Sequence, residues 1–500
     1  MSELKNSPIL MGIDGGTGGI RVGLYDTKGK RLCFASCPYE TAFPKPGYAE
    51  QNPADWWKAM VNAVREVLAK SGLDKEQISA LACDTTSTSV VVCKKDGTPL
   101  RPCIIWMDVR AAKEADELLA KTGDFYSPEW MPPKLAWLKR NEKEVYDKTE
   151  VFCEYQDWLT YRLTGRWCMN NNTACDWGYL INTGFSRKIY EAIDITDALD
   201  RFPKDEVFRV GEKVGVLTKQ AAEELGLKEG TPIAQGGIDS SIGLLGIGVN
   251  KRGRIGMITG SSNLAMALNR KPLLNPTGSN NGPDNLIRGY YTDYVAQSAS
   301  GSILSWYTKQ FCEGLNYSQM DELAANVPIG SNGILLLDYF QGNKHPYHDS
   351  KVHGMFYGLS LAHRKEDLYR AILEGVAFGS ERILDTFREH GLRISEMNIA
   401  GGSALSPLWM QIHADVSNVI INVPDDINAP NLGCAICCAV MLGIYPDLPA
   451  AVDEMVRYRR SYIPDRQAHE KYQQIYELYK SFYPQTRNWM HQFHDIFGNL

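Results

Sequence analysis

The sequence has little excess charge and no long apolar run. Its 500 residues carry a formal net charge of -6, so the chain lacks the basic footprint that nucleic-acid coating requires. No apolar run approaches the roughly 20 residues of a membrane helix. Residues 1–7 lack the charged-then-apolar order of a secretion signal. We therefore expect a cytoplasmic protein with no nucleic-acid partner and no membrane partner.

A metal-type arrangement of cysteines is also missing. Of the 12 cysteines, only Cys434, Cys437 and Cys438 have a metal-like spacing, and they lie in a run of small and apolar residues. A zinc site needs a second pair of ligands, and no second pair is spaced to match. We predict that these three residues are buried thiols in a packed helix.

The length of the chain requires more than one hydrophobic core. Compact domains usually run about 50–250 residues, and 44% hydrophobic with 22% charged residues is a globular composition. Residues 9–26 and 254–266 lie half a chain apart and share the order strand, Gly/Thr/Ser turn, strand. We predict two domains, 1–250 and 251–500, joined within the glycine-rich basic stretch 246–253.

Helix and strand signals alternate along the chain, as they do in layered α/β folds. Residues 53–68 predict a helix, with Asn52 as its cap and a proline at its first position. Residues 78–83 predict a strand. Residues 364–386 and 470–482 predict further helices.

Residues 12–19, which read GIDGGTGG, predict a phosphate-binding turn. Glycine lets backbone N–H groups approach phosphate oxygens, and Thr17 adds a hydroxyl donor. The absence of Gly-Lys-Ser/Thr excludes a Walker loop. A dinucleotide loop must open a helix, whereas residues 21–26 alternate like a strand. We predict a β-hairpin whose tip binds phosphate, with a second such tip at residues 259–262; an ordinary glycine-rich hairpin is the alternative.

Four motifs in order give the sequence a specific family resemblance. They are residues 14–21, 236–243, 259–262 and 401–416. On these motifs, the chain resembles the FGGY carbohydrate kinase family, part of the actin/hexokinase/chaperone ATPase superfamily. The resemblance implies an α/β fold of two actin/hexokinase-like (ribonuclease H-like) domains flanking a deep nucleotide and sugar cleft. Domain 1–250 would carry the sugar and phosphate side, and domain 251–500 the adenosine side.

The resemblance also implies ATP and Mg²⁺ as cofactors. The expected phosphate-binding residues are Gly15, Gly16, Thr17, Gly18, Arg21, Thr259, Gly260 and Ser261. The expected adenosine-binding residues are Gly401, Gly402 and Ser406. Asp14 and Asp239 would hold Mg²⁺, which usually keeps several waters beside one or two carboxylates. For Asp14 the alternative is a turn aspartate bonded to its own backbone.

Asp239 follows residues 231–235, which predict a strand ending at a tight turn. A carboxylate there can take a proton from a sugar hydroxyl, or it can cap the helix that begins at residues 240–242. The residues alone leave both roles open. The family resemblance assigns Asp239 as the catalytic base.

Three segments of the first domain are predicted to contact the sugar. Residues 84–89 place hydroxyls at the end of a strand, and residues 106–111 and 127–130 supply indoles and carboxylates. The substrate-binding candidates are Asp84, Thr85, Thr86, Trp106, Asp108, Glu129, Asp176 and Asp239. Core packing is the alternative for Trp106, and a structural ion pair with Arg110 is the alternative for Asp108.

These segments are similar to ribulokinases more than to glycerol kinases. However, Asp176 stands where some ribulokinases have a lysine, and Tyr294 stands where a glutamate is expected. We expect ATP-dependent phosphorylation of a small ketose, a ribulose-type pentulose. Kinases of xylulose, of a polyol or tetrulose, or of the autoinducer precursor are alternatives, and an actin- or chaperone-like ATPase is a more distant one. The expected partner is a small-molecule sugar. A homodimer is left open as the oligomeric state.

Overall fold

The computed structural model describes residues 7–272, 279–280 and 282–497. The chain divides into two compact units. Unit 1 comprises Met1–Asn250, Asn281–Tyr291 and Asn428–Val456, and unit 2 comprises Lys251–Asn280, Thr292–Ile427 and Arg457–Leu500. The first segment of unit 1 ends inside the predicted junction 246–253. Two later segments also belong to unit 1, so neither unit is continuous in sequence.

Strands and helices alternate along the described chain. The strands are β1 (Ile9–Gly16), β2 (Gly19–Tyr25), β3 (Arg31–Pro38), β4 (Glu50–Gln51), β5 (Ile78–Thr85), β6 (Val91–Cys93), β7 (Cys103–Ile104), β8 (Val151–Cys153), β9 (Met169–Asn170), β10 (Tyr179–Leu180), β11 (Gly184–Phe185), β12 (Val207–Phe208), β13 (Lys213–Val216), β14 (Pro232–Ile238), β15 (Arg254–Thr259), β16 (Asn263–Asn269), β17 (Ser279–Asn280), β18 (Tyr291–Gln297), β19 (Leu335–Leu337), β20 (Met355–Tyr357), β21 (Glu396–Gly401), β22 (Ile420–Pro424) and β23 (Tyr458–Tyr462). The α-helices are α1 (Pro53–Ser71), α2 (Ala112–Thr122), α3 (Met131–Asn141), α4 (Lys143–Lys148), α5 (Tyr155–Thr164), α6 (Asn171–Ala174), α7 (Arg187–Ala192), α8 (Lys219–Leu225), α9 (Asp239–Gly246), α10 (Gly301–Phe311), α11 (Tyr317–Ala324), α12 (Lys365–Glu389), α13 (Pro407–Ser417), α14 (Ala429–Met441), α15 (Leu448–Met455) and α16 (Arg466–Phe497).

The main sheet of unit 1 has the strand order β13-β14-β5-β1-β2-β3. Strands β1, β2 and β3 form an antiparallel meander, and β5 and β14 extend it in parallel with β1. The carboxyl ends of parallel strands lie at the same edge of a sheet. This edge therefore collects the residues that end β1, β5 and β14, which are the candidates from the first domain's motifs.

The main sheet of unit 2 repeats this plan with the order β17-β18-β16-β15-β21-β22-β23. Here β15 and β16 form the hairpin, and β21 and β22 run parallel to β15. In both sheets an antiparallel strand closes the edge beyond the parallel strands, β13 in unit 1 and β23 in unit 2. The shared topology confirms the predicted α/β class with two domains of actin/hexokinase-like, ribonuclease H-like type.

Local sequence signals explain the helix that covers the first sheet. The Asn52 side chain caps α1 by accepting from the Ala54 N–H, and Gly72 ends the helix in the left-handed conformation. Trp56, Met60 and several neighbours on the same face are buried against β2 and β3. The predicted helix 53–68 is therefore confirmed and runs three residues further, to Ser71.

The segment Asn428–Val456 belongs to unit 1 because α14 packs directly on β1. The Asn431 side-chain amide donates to the carbonyls of Gly12 and Arg21, both at 2.9 Å. A Cβ on Gly12 would lie 2.0 Å from the Asn431 carbonyl oxygen, so only glycine permits this approach. Three cysteines of α14, Cys434, Cys437 and Cys438, have no exposed surface, which confirms the predicted buried thiols.

Other predicted elements are present with longer bounds. The predicted strand 78–83 is β5, the predicted helix 364–386 is α12, and 470–482 is the middle of α16. Trp409, within the 401–416 motif, is 2% exposed and packs in the hydrophobic core of unit 2. Within the ranges that the structure describes, no helix combines the length and the apolar character that crossing a bilayer requires.

Candidate active site

The first predicted phosphate turn is the tip of the β1–β2 hairpin. Gly16 pairs directly with Gly19, which leaves a two-residue tip. The carbonyl of Thr17 accepts from the Gln51 side-chain amide at 2.8 Å, and the carbonyl of Gly16 accepts from the Tyr39 hydroxyl. Neighbouring side chains therefore satisfy two carbonyls and fix the tip, so a hairpin is confirmed where the sequence predicts one.

The predicted phosphate residues of unit 1 differ in exposure along this tip. Gly15 and Gly16 are buried, Thr17 is half-buried and Gly18 is exposed. The Trp106 indole N–H donates to the Thr17 hydroxyl oxygen at 3.0 Å, which leaves the hydroxyl hydrogen available to another acceptor. Trp106 is 39% exposed, so core packing does not describe it.

Two buried carboxylates lie side by side at the ends of β1 and β5. Asp14 pairs in register with Asp84 across these parallel strands, and with Arg21 across the hairpin. Arg21 Nη1 donates to Asp14 Oδ2 at 2.7 Å, while Asp84 Oδ2 accepts from the Cys434 thiol at 3.1 Å. The remaining oxygen of each carboxylate, Oδ1, is buried and has no hydrogen-bond partner among the described residues.

The negative charges of Asp14, Asp84 and Asp239 repel each other. Burial raises the pKa of Asp84 well above its ordinary value, and the charges of Asp14 and Asp239 raise it further. Burial also raises the pKa of Asp14, although the Arg21 guanidinium partly offsets this increase. Like charges in a site of low polarity disfavour simultaneous ionisation. A bound cation would relieve this repulsion.

The buried carboxylate oxygens can bind the expected Mg²⁺ through water molecules. In the described part of the chain, no group of three or more His, Cys, Asp or Glu side chains is arranged to hold a metal directly. Mg²⁺ needs no such group, because it usually keeps several waters beside one or two carboxylates. The unpartnered Oδ1 atoms of Asp14 and Asp84 can accept hydrogen bonds from such waters. The residues present therefore fit water-mediated binding of Mg²⁺. Asp84, which the sequence analysis assigned to the sugar alone, is one of the carboxylates that would bind it.

Asp239 is the first residue of α9, directly after β14. Its Oδ1 accepts from the Ser240 N–H at 2.7 Å, so one oxygen satisfies a helix N–H. Its Oδ2 has no hydrogen-bond partner within the described ranges. Burial, and next the charge of Asp14, raise the pKa of Asp239 to about 7. The residue thus does part of what a helix cap does, and its other oxygen stays available to a ligand.

The candidates for the sugar after β5 differ in their hydrogen bonding. Thr85 Oγ1 is buried without a partner among the described residues, and Thr86 Oγ1 lies 3.4 Å from the Ser89 hydroxyl. Asp176 Oδ2 is likewise buried without a partner in this part of the structure. Burial raises the pKa of Asp176 to about 7, although hydrogen bonds to its carboxylate and the Lys134 charge act against the increase. Thr85 and Asp176 therefore each offer a buried polar atom to a ligand.

Asp108 has a different role from the other sugar candidates. Its carboxylate is fully buried and accepts from the Ala49 N–H at 2.6 Å and from the Arg110 N–H at 2.9 Å. The Arg110 guanidinium adds hydrogen bonds to both oxygens. Because every favourable position on the carboxylate is occupied, the geometry favours the structural ion pair over a sugar contact. Glu129 is half-buried, and its N–H donates to the Ser127 hydroxyl at 3.3 Å.

Sequence reasoning missed two buried charges beside the sugar candidates, Lys134 and Glu154. Both have no exposed surface. Lys134 lies in the apolar sequence MPPKLAWL of α3, and Glu154 directly follows the buried strand β8. A charged residue inside an apolar run is the signal that could have found them, since such residues are seldom fully buried without a partner.

The second predicted phosphate turn is the tip of the β15–β16 hairpin in unit 2. The Gly260 N–H donates to the Ser262 carbonyl at 2.9 Å, which closes the turn. The Ser261 carbonyl accepts from the Ser300 N–H at 2.9 Å and from the Ser302 hydroxyl at 2.8 Å. The start of α10 therefore holds this tip, as the side chains of Gln51 and Tyr39 hold the tip in unit 1. The second hairpin is confirmed at residues 259–262.

Thr259 lies beneath this tip and its hydroxyl is committed to the protein. Thr259 Oγ1 donates to the Ala400 carbonyl at 3.1 Å and accepts from the Ser403 hydroxyl at 2.5 Å. Gly401 has a φ of 115°, and a Cβ there would lie 1.8 Å from the Thr259 carbonyl oxygen. Gly402 faces open space, with no atom within 4 Å of a Cβ built on it. Gly401 therefore allows the close contact between strands, whereas Gly402 leaves room for a ligand.

A cavity of about 1020 Å³ lies in unit 2 beside these residues. Its walls include Ser261, Trp306, Tyr317, Gly402, Leu405 and Ser406. The Ser406 hydroxyl oxygen caps α13 by accepting from the Trp409 N–H at 3.1 Å, so its hydrogen stays available to a ligand. Apolar walls with a few polar groups are typical of small-molecule sites. The cavity is large enough for a nucleoside.

Comparison with known sequence families covers most of the chain. The FGGY family of carbohydrate kinases, N-terminal domain, matches residues 9–246. The FGGY family of carbohydrate kinases, C-terminal domain, matches residues 256–442. Together these matches contain the tips of both hairpins, the residues Asp14, Asp84 and Asp239, and the walls of the cavity in unit 2.

Individual relatives are similar over nearly their whole length. A xylulose kinase from Staphylococcus epidermidis is 26% identical and covers 96% of this chain and 97% of its own. A ribulokinase from Geobacillus thermodenitrificans is 29% identical and covers 98% of this chain and 94% of its own. The crystal structure of a xylulose kinase from Rhodospirillum rubrum superposes with a TM-score of 0.85 at 25% identity, covering 97% of this chain and all of that one.

Proposed function

The chain belongs to the FGGY family of carbohydrate kinases, and from this premise we propose that it phosphorylates a ribulose-type pentulose with Asp239 as the general base. Family membership and the kinase relatives establish an ATP-dependent sugar kinase; the choice of sugar and the residue roles are the proposal. The observation that carries it is the Asp239 carboxylate, with one oxygen unpartnered within the described ranges and a pKa of about 7.

The proposed step is an in-line transfer of the γ-phosphoryl group. Asp239 in its ionised form takes the proton of one sugar hydroxyl, and the oxygen of that hydroxyl forms a bond to the γ-phosphorus. The bond between the γ-phosphorus and the oxygen bridging to the β-phosphorus breaks, and ADP leaves with the electron pair. A base with a pKa near 7 suits this step at neutral pH, because it is ionised often enough to accept the proton and basic enough to hold it.

The nucleotide roles follow from the two hairpins and the cavity. We assign the phosphates to the tip residues Gly15, Gly16, Thr17, Gly18 and Arg21 of unit 1 and to Thr259, Gly260 and Ser261 of unit 2. Since the Thr259 hydroxyl is committed to Ala400, its contribution is through the backbone. Of the adenosine candidates, Gly402 and Ser406 line the cavity to which we assign the adenosine, and Gly401 maintains the strand contact beside it. Asp14 and Asp239 would hold Mg²⁺ through water, with Asp84 beside Asp14 as a further acceptor, and the ion would neutralise phosphate charge when bound.

The sugar assignment rests on polar atoms that the protein leaves without partners in the described structure. Thr85 Oγ1 and Asp176 Oδ2 are both buried and unpartnered there, and a sugar hydroxyl can donate to either. Asp84, Thr86, Trp106 and Glu129 complete the proposed set, while Asp108 is assigned to structure. We place this chain with the ribulose-type enzymes because residues 84–86, 106–110 and 127–130 are similar to ribulokinases. Asp176 departs from that pattern, since it supplies an acceptor where some ribulokinases carry a lysine.

A coupled ADP-release screen tests the choice of sugar. The substrates are D- and L-ribulose, D- and L-xylulose, erythrulose, ribitol, erythritol and the autoinducer precursor. We expect the highest kcat/KM with a ribulose. A higher value for xylulose, a polyol or the autoinducer precursor would reassign the substrate within the family. ATP hydrolysis at one rate with and without every sugar would refute the kinase assignment.

Replacement of Asp239 tests the base assignment. Asp239→Asn keeps the size of the side chain and removes the proton acceptor, so turnover should fall by about 10²–10⁴-fold. Binding of ATP should change little. Asp205→Asn is the matched control, because Asp205 is an exposed aspartate of the same unit. Near-normal turnover of Asp239→Asn would remove the base assignment.

A further inference from the structure

The segment after β5 adopts a strained turn at the proposed sugar site. Thr88 has a φ of 53°, in the left-handed region that a β-branched residue rarely adopts. The same segment carries Thr85 and Thr86, whose hydroxyls are candidates for the sugar. Strain of this kind persists only where the surroundings over-determine the conformation.

Glu154 holds the turn from its N–H side. Its two carboxylate oxygens accept from the N–H groups of Thr88 and Ser89, both at 3.0 Å. The side chain is fully buried. A carboxylate that accepts two adjacent N–H groups fixes the orientation of both peptide units, so Glu154 restricts the backbone at the strained residue itself.

Lys134 holds the turn from its carbonyl side and joins it to a second segment. Its ammonium donates to the Thr88 carbonyl at 2.7 Å and to the Ile105 carbonyl at 2.9 Å. Ile105 precedes Trp106, whose indole donates to Thr17 of the phosphate hairpin. Burial lowers the pKa of Lys134 to about 8, while the charges of Asp108, Glu154 and Glu129 act in the opposite direction. Lys134 therefore connects the two segments that carry most of the proposed sugar contacts.

We propose that Lys134 and Glu154 are positioning residues that lock the Thr86–Ser89 turn and the Trp106 segment in the arrangement that binds the sugar. This rests on the proposed function, because the turn is assigned to the substrate there. The two residues act through the backbone and do not belong to the reacting atoms. Without them, Thr88 would relax from its left-handed conformation, and the hydroxyls of Thr85 and Thr86 would lose their common orientation.

The use of two buried charges argues for positioning over packing. Apolar residues of similar volume stabilise a core at least as well as buried ions, because burying each ion costs free energy of desolvation. Here both charged groups are directed at backbone atoms of one turn. The neighbouring Thr85 Oγ1 and Asp176 Oδ2 are left unpartnered in the described structure. The charges thus stabilise a turn beside polar atoms that are free to meet a ligand.

Steady-state kinetics of Lys134→Met and Glu154→Gln test this role. Both substitutions preserve volume and remove hydrogen bonds to the turn. We expect the KM for the sugar to rise at least about tenfold, since each change removes charge-assisted bonds, while the KM for ATP stays within about twofold. Lys139→Met is the matched control, because Lys139 lies on the same helix α3 but bonds at the surface to the Asp194 carbonyl and Asp197. Its KM for the sugar should not change.

Three outcomes separate the alternatives. A parallel rise of both KM values, or a lower melting temperature with an unchanged KM for the sugar, would show a purely structural role and overturn the proposal. If Lys134→Met does not fold, Glu154→Gln and the conservative Lys134→Arg decide, with Lys134→Arg expected to recover part of the affinity for the sugar. Wild-type protein that turns over no pentulose would instead refute the proposed function, and the same variants are then measured with the sugar that the screen identifies.

Discussion

Replacement of Gly401 by alanine should destabilise unit 2. The φ of 115° at this position lies outside the range of residues with a side chain, and holding alanine there costs about 1–3 kcal/mol. The added Cβ would lie 1.8 Å from the Thr259 carbonyl oxygen, and relieving such an overlap in a packed region costs about 1–3 kcal/mol more. The two costs together give about 2–6 kcal/mol, because the contact is with backbone and cannot be relieved by a rotamer change.

Gly402→Ala is the matched control in the next residue. A Cβ at Gly402 meets no atom within 4 Å, and its φ is not in the positive range. Its effect on unfolding should be within about 0.5 kcal/mol, as for most substitutions in open space. Because Gly402 lines the cavity assigned to adenosine, its methyl group should instead raise the KM for ATP.

Thermal and urea unfolding of both variants, followed by circular dichroism, measure the difference. For a unit of this size, Gly401→Ala should lower the melting temperature by roughly 5–20 °C. Gly401→Ala should also weaken ATP binding, since the displaced Thr259 precedes the second phosphate tip. Equal melting temperatures for the two alanine variants would refute the reasoning, because it assigns the loss of stability to the contact and backbone angle at residue 401, which residue 402 lacks.

Three further predictions concern the site in unit 1. Asp239 must be ionised to act as a base, and its pKa is raised to about 7. We therefore expect kcat/KM to reach a plateau above this pH and to fall about tenfold per pH unit below it. Asp14→Asn removes a charge that raises this pKa, so in a pH–rate profile the acid limb should move to lower pH, and an unmoved limb would contradict the assignment. Trp106→Phe removes the hydrogen bond to Thr17 while keeping an aromatic ring, and it should raise the KM for ATP about 2–10-fold in steady-state assays. An unchanged KM would show that the Thr17 hydroxyl does not need this support.

Some site residues were predictable because their signal is local. Residues 12–19 combine glycines with a strand-like continuation, and this pattern alone excludes a Walker loop and a helix-opening dinucleotide loop. The structure has the predicted hairpin there and a second one at residues 259–262. Asp239 was also visible as an aspartate between a strand and a helix start.

Other residues depended on partners that are distant in sequence. The residues adjacent to Asp108 in sequence predict a contact with the sugar, but its carboxylate already accepts hydrogen bonds from the Ala49 N–H and the Arg110 side chain. Asp84 pairs in register with Asp14 only because β5 runs parallel to β1. Lys134 and Glu154 become recognisable as holders of the Thr88 turn once their hydrogen bonds are known.

The sequence by itself determined the class of fold, the two glycine-rich hairpins and the family, because strand periodicity, glycine spacing and motif order are properties of short stretches of chain. Only the tertiary structure decided which carboxylates keep an oxygen for a ligand and which belong to internal ion pairs. It also decided that Asn428–Val456 belongs with unit 1, through the contact of α14 with Gly12. The hydrogen bonds and the desolvation of a carboxylate depend on which atoms lie beside it in space. Those contacts come from residues distant in sequence, so local sequence patterns do not specify them.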